Sequence, residues 1–128
     1  MYQDKILDHY KHPRNFGELD PADLKARGTN PLCGDDITIY VRLSEGGNVS
    51  EVQFQGKGCA ISQASASLLT EALKGLSVRE LEAIGEETVL SLLGVPLSPA
   101  RKKCAFLPLD TLKTAMKERE FPGTKTAK

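Results

Sequence analysis

DITIYVRLSEGGNVSEVQFQ, residues 36 to 55, alternates apolar and polar side chains on both sides of a glycine-rich turn. Ile37, Ile39, Val41 and Leu43 fall on one face of an extended chain and Thr38, Tyr40 and Arg42 on the other, because successive strand side chains point to opposite faces. After SEGGN, Val52 and Phe54 alternate with Glu51, Gln53 and Gln55. The two runs read as an antiparallel hairpin with one buried face, its returning strand spanning 49 to 55 and ended by Gly56 and Gly58.

Helical patterns flank the hairpin. YQDKILDHYK places Ile6, Leu7 and Tyr10 at amphipathic spacing before His12-Pro13 ends the helix, and a polar linker follows. In CAISQASASLLTEALKG, Ile61, Ala64, Leu68 and Ala72 share a face beside Leu69 and Leu73, with Gly75 placed to cap the end. Ser77 to Glu80 has the form of a capping box, so a short helix carrying Leu81 and Ile84 is expected. EETVLSLLG reads as another. Ser98-Pro99 has the pattern of an N-cap with proline in the first helical position, opening a helix through ARKKCAFL. Pro108 predicts a kink or a fresh start before the helix continues through Leu109, Leu112 and Met116.

Composition bounds the function. A chain of 128 residues with 40% hydrophobic residues suits one domain, read as 1–120 with a flexible tail at 121–128. Seventeen basic and seventeen acidic residues cancel, so no overall positive field favours nucleic acid or an anionic membrane. The first twenty residues carry charges throughout, and no run of eighteen apolar residues occurs; the expectation is a soluble, unsecreted, cytoplasmic protein. Three cysteines, at 33, 59 and 104, are an odd and widely spaced set. That is no disulfide framework, and a reducing compartment fits.

The cysteines stand in polar surroundings. In NPLCGDDIT, Cys33 is followed by Gly34, which frees the backbone, and by Asp35, which offers a hard oxygen at the same turn. Cys59 lies between the hairpin and a helix N-terminus, and Cys104 near the start of a later helix beside Arg101, Lys102 and Lys103. Open N–H groups, the positive end of the helix dipole and cationic neighbours favour thiolates there. If the turns converge, three sulfurs and the Asp35 carboxylate supply four ligands, the number that tetrahedral zinc or one iron of a cluster requires. Thiolates hold a borderline ion strongly and a carboxylate is more exchangeable, so such a site could pass its cargo on. The plainer alternative is three unrelated core thiols and an ordinary turn aspartate, but glycine or charge borders each cysteine. His9 and His12 read as surface or packing residues, and Ser62, Ser65 and Ser67 have no general base nearby in sequence.

The order NP-x-CGD at 30–35, G-x-GC-x-IS-x-ASAS-x-x-T-x-A-x-KG at 56–75 and PAR-x-KCA at 99–105 resembles the NifU N-terminal, IscU and SufU family of iron–sulfur cluster assembly scaffolds. The resemblance extends from ILDHYKHPRNFG through the helix after Cys104. It implies an α+β fold, a small, mainly antiparallel three-stranded sheet packed against several helices, with the ligands clustered at one exposed end and a third strand between residues 15 and 30. It implies Cys33, Asp35, Cys59 and Cys104 as ligands of a transient [2Fe–2S] cluster, of iron, or of zinc. The implied role is a non-enzymatic scaffold that accepts persulfide sulfur from a cysteine desulfurase, on Cys33 or Cys104, and hands the cluster to apo iron–sulfur proteins or carriers.

Two features separate the branches. IscU has a histidine before its third cysteine where this chain has Lys103, whereas GCAISQASAS and PARKKCA are closer to SufU, whose added segment has little room between Cys59 and Cys104. LSPAR at 97–101 matches only part of the LPPVK chaperone segment of IscU, which leaves an Hsp70-type partner open. The alternative function is a SufU-like zinc-dependent sulfurtransferase in which the desulfurase opens the zinc site and Cys33 takes persulfide, with Arg101 or Lys103 guiding the exchange. A structural zinc module on nucleic acid fits poorly with zero net charge and no tryptophan.

Overall fold

The structure is a computed structural model that describes the backbone of residues 2–31 and 34–127 and the side chains of 4–31 and 34–118. Strands β1 (Leu24–Asn30), β2 (Asp35–Leu43) and β3 (Val49–Lys57) form one antiparallel sheet in the order β1-β2-β3. Helix α1 (Tyr2–Lys11) precedes it, and α2 (Ala60–Leu73), α3 (Val78–Ala83), α4 (Glu86–Leu93) and α5 (Pro99–Ala127) follow. The fold is thus α+β, with three antiparallel strands.

Side chains meet in rows across the sheet. Leu24, Val41 and Val52 share one row, and Ala26, Ile39 and Phe54 the next. Ile37, Ile39, Val41, Val52 and Phe54 are all fully buried, each contributing roughly 1.5–3 kcal/mol of apolar burial. Helix α5 packs on β1 and β2, α2 on β3 and α5, and α1 on α2. The opposite sheet face is polar: Arg27 pairs with Asp36 at 2.6 and 2.9 Å, Arg42 with Glu51, and Tyr40 donates to Gln55 at 2.7 Å.

Periodicity alone reads the segment of β1 as linker, because LKARGTN offers only Leu24 and Ala26 to the core; pairing with the strongly alternating β2 makes it a strand. The expected end of β3 at Gln55 is also extended. Gly56 pairs with Ile37 and Lys57 with Asp36, because a Cβ at Gly56 would collide with the Asp36 carbonyl and its absence lets the strands stay in register. The free edge of β3 is covered by the segment after α1, through hydrogen bonds of 2.8 Å from Phe54 N–H to the Asn15 carbonyl and from Gly17 N–H to the Phe54 carbonyl.

The helix starts follow their caps. Glu80 N–H bonds Ser77 Oγ at 3.1 Å while Ser77 N–H bonds the Glu80 carboxylate at 2.9 Å, the reciprocal capping box. Arg101 N–H donates to Ser98 Oγ at 3.3 Å ahead of Pro99. No new helix begins at Pro108: α5 is one element across it, and its helical trace continues over residues 121–127, where the sequence reads a tail. Pro108 cannot donate to the Cys104 carbonyl, but Ser65 of α2 donates to the neighbouring Ala105 carbonyl at 2.6 Å, and Leu107, Leu109 and Leu112 are buried on either side. Packing holds the helix through the break. Among the described residues, no helix is long and apolar enough to cross a membrane.

Candidate metal centre

Period-two alternation carries Asp35 into the interior. It is the first residue of β2 and shares the face of Ile37, Ile39 and Val41, so its carboxylate is buried with only 2% exposure. Cys59 is the N-cap of α2 and is half-buried. Cys104 comes from α5 and is fully buried. One carboxylate oxygen of Asp35 and the sulfurs of Cys59 and Cys104 all lie within 4.8 Å of one another. Three elements thus deliver three of the four sequence candidates to one place, and Cys33, the fourth, lies outside the described residues.

Each carboxylate oxygen of Asp35 has a different environment. Oδ1 accepts from Cys59 N–H at 2.9 Å and from the Ser62 hydroxyl at 3.1 Å. The Cys59 carbonyl is also 3.1 Å from Ser62 Oγ, but the charged acceptor draws the single hydroxyl proton more strongly. A Cβ at Gly58 would collide with Oδ1 and lie 2.7 Å from Ser62 Oγ, and Gly58 holds φ +156°. Only glycine admits the carboxylate this close. Oδ2 is buried without a hydrogen-bond partner among the described residues, as is Gln63 Nε2 in the first turn of α2.

An orphaned buried carboxylate oxygen costs more than the ~1–3 kcal/mol of a neutral polar atom, and a cation is what would satisfy it. Zinc holds thiolate at about 2.3 Å and carboxylate at about 2.0–2.2 Å, so donor atoms within 4.8 Å need close by only about 1 Å around one ion. A mixed thiolate and carboxylate set suits zinc or iron. The residues fit the group that the family resemblance implies.

The surroundings differ from expectation in two ways. Helix α5 opens at Pro99, which puts Cys104 in its second turn, inside the hydrogen-bonded ladder; of these two cysteines, only Cys59 adjoins open helix N–H groups. Nor is Cys104 exposed: Arg101, Lys102 and Lys103 face solvent while its sulfur is turned inward, where Asn30 Nδ2 approaches it at 4.0 Å. Ser62 and Gln63 were not sequence candidates for the centre. The alternation behind Asp35 signals its burial, but nothing local signals a serine 27 positions away as its donor.

Histidines stay outside the centre. His9 is buried, with Nδ1 2.7 Å from Ser67 Oγ and Nε2 3.9 Å from the Glu71 carboxylate; burial, then the Arg14 charge, lower its pKa from the usual imidazole range. The fold thus brings a base 58 positions away in sequence to Ser67, but the hydroxyl is fully buried and already accepts Arg14 N–H at 2.9 Å. The arrangement fastens α1 to α2. His12 is exposed.

The sequence matches the profile of the NifU-like N terminal domain over residues 1–126. It is 36% identical to the iron–sulfur cluster assembly scaffold protein IscU of Azotobacter vinelandii, covering 91% of this chain and 92% of that one. It is equally 36% identical to the zinc-dependent sulfurtransferase SufU of Bacillus subtilis, covering 94% and 92%. The fold superposes with a TM-score of 0.77 on the crystal structure of SufU from thermophilic Fervidobacterium islandicum, at 29% identity and covering 88% of this chain and 94% of that one.

Proposed function

We propose, for a chain that belongs to the NifU-like N-terminal domain family, that it is an iron–sulfur cluster assembly scaffold. In this reading a [2Fe–2S] cluster is cargo: the protein accepts sulfur from a cysteine desulfurase, holds iron on Cys33, Asp35, Cys59 and Cys104, and releases the cluster to apo-proteins. The observation that carries the reading is the convergence of the Asp35 carboxylate with the Cys59 and Cys104 thiols around a buried oxygen that has no hydrogen-bond partner among the described residues.

The chain's own groups define the chemistry. Two thiolates give soft, durable bonds to iron, while the carboxylate is the harder and more exchangeable ligand. Sulfur arrives when a thiolate attacks the outer sulfur of the desulfurase persulfide, breaking its S–S bond and releasing the desulfurase thiolate. Cys104 is fully buried, so it can accept sulfur only after the centre opens; Cys33 is the other acceptor in this proposal. An open apolar groove of about 590 Å³, whose lining includes Ile6, Leu7, Leu97, Arg101 and the Ala60 and Ile61 that directly follow Cys59 in the chain, offers a surface to a protein partner.

A second reading, a zinc-dependent sulfur acceptor without cluster assembly, is favoured by the equal identity to SufU and by Lys103 in place of a ligating histidine. Anaerobic reconstitution with iron, cysteine and a desulfurase, with and without prebound zinc, separates the two. A visible chromophore that moves to an apo-ferredoxin establishes the scaffold. If zinc-loaded protein instead accelerates the desulfurase and takes persulfide while no chromophore forms, the sulfurtransferase reading stands.

A further inference from the structure

The geometry points to Ser62 as a positioning residue that decides which oxygen of Asp35 reaches the metal and how easily it lets go; this rests on the metal-holding reading above. Three features around the carboxylate act together. The Cys59 amide at 2.9 Å and the Ser62 hydroxyl at 3.1 Å both bond Oδ1. Gly58, which leaves no room for a Cβ, lets the backbone close on that same oxygen. Oδ2 is left buried with no hydrogen-bond partner among the described residues.

Two donors on one oxygen have two consequences. They fill the lone-pair directions that Oδ1 would otherwise offer to a cation, so Oδ2 becomes the ligand. They also draw negative charge toward Oδ1 and fix the plane of the carboxylate, as partners behind a metal ligand do. The Cys59 amide couples the two ligands directly, since the backbone that carries one thiolate holds the carboxylate of the other element. Ser62 is the adjustable member of the pair. It is fully buried, and its hydroxyl lies as close to the Cys59 carbonyl as to Oδ1, 3.1 Å in each case, so it can turn from one acceptor to the other as the carboxylate gains or loses a metal. With the hydroxyl on Oδ1, Asp35 is held with Oδ2 toward the metal; with the hydroxyl turned to the Cys59 carbonyl, the carboxylate is loosened for exchange.

Cobalt(II) bound by the full chain tests this, read by its visible d–d bands and by its release to a chelator. In the unsubstituted protein, thiolate-to-cobalt charge transfer reports the sulfurs. Ser62→Ala is expected to keep that charge transfer, alter the d–d bands and speed release about 10- to 100-fold, the usual effect of removing a partner behind a metal ligand. Ser62→Thr restores both. Thr70→Ala, which removes a buried hydroxyl roughly two turns along the same helix, leaves both unchanged. Unaltered d–d bands and release in Ser62→Ala, with charge transfer intact in the parent, overturn the positioning role alone. Absent charge transfer in the parent overturns the metal-holding reading and this inference together. A check free of substitution uses the Cys59 amide resonance: protection from solvent exchange in the zinc-loaded protein supports Oδ2 as the ligand, and loss of protection on loading contradicts it.

Discussion

The two ends of α2 bury the same kinds of polar side chain and treat them in opposite ways. Toward its C-terminal half, Ser67 bonds His9 and the Arg14 amide, and Thr70 bonds Asn15 and the Ser67 carbonyl, at 2.7 to 3.2 Å. Every one of those buried groups is partnered, and the result is a seam that fastens α1 and the following segment to the body. At the first turn, Asp35 Oδ2 and Gln63 Nε2 are buried without partners among the described residues. A fold that can satisfy buried polar atoms at one end of a helix has a reason for leaving them open at the other. Unmet polarity beside two thiols, among the described residues, is what a cation site would need.

The sharpest break of that contrast is Cys104→Ser. It should abolish stable zinc binding in chelator competition, a loss of more than about 100-fold, because a thiolate is exchanged for a weak hydroxyl donor; full occupancy in the variant would remove Cys104 from the centre. Gly58→Ala comes next. The added Cβ collides with Asp35 Oδ1 at a backbone angle that side chains rarely adopt, so urea unfolding should show a loss of roughly 2–3 kcal/mol, together with weaker zinc binding. An unchanged midpoint would mean that the carboxylate is not held as described.

On the satisfied side, Ser67→Ala removes a buried partner of both His9 and the Arg14 amide. A loss of about 1–2 kcal/mol is expected in urea, with metal binding untouched. Parallel losses in stability and metal affinity would show that the two ends are not independent. The smallest effect is in pH. Burial lowers the pKa of His9, so the unfolded chain takes up its proton first as pH falls. Stability from this residue is full above the ordinary imidazole value of about 6.5 and is lost as pH drops through it toward the lowered folded value. Thermal melts from pH 8 to 5 should show this slope in the parent and a flatter one in His9→Gln; equal slopes would assign the effect elsewhere.

Much of this contrast is legible in sequence, and the reasons are local. Alternation from Ile37 to Leu43 fixes β2, and Ser77 with Glu80 fixes the start of α3, because each pattern is complete within a few residues. β1 is not, since Leu24 and Ala26 gain meaning only from Val41 and Ile39 across the sheet; it is the family resemblance that places a strand there. Pro108 starts no new helix for a related reason: its penalty is local, whereas the contacts that offset it, from Ser65 and the core, are not. At the centre, polar neighbours single out Asp35, Cys59 and Cys104, but their roles differ with burial that local sequence does not carry. The exposed Arg101, Lys102 and Lys103 suggest an exposed Cys104, yet the helix turns that sulfur to the inside. Ser62 looks like one serine among several until the fold brings Asp35 to it.

The most direct test of the central claim, that Asp35 and the thiols form one ligand set, is X-ray absorption at the zinc edge of the metal-loaded full chain. Sulfur scatterers at about 2.3 Å and a light scatterer at about 2.0 Å are expected, with the light contribution altered in Asp35→Ala and the sulfur retained. A first shell of light atoms alone, or a spectrum unchanged by Asp35→Ala, would contradict it.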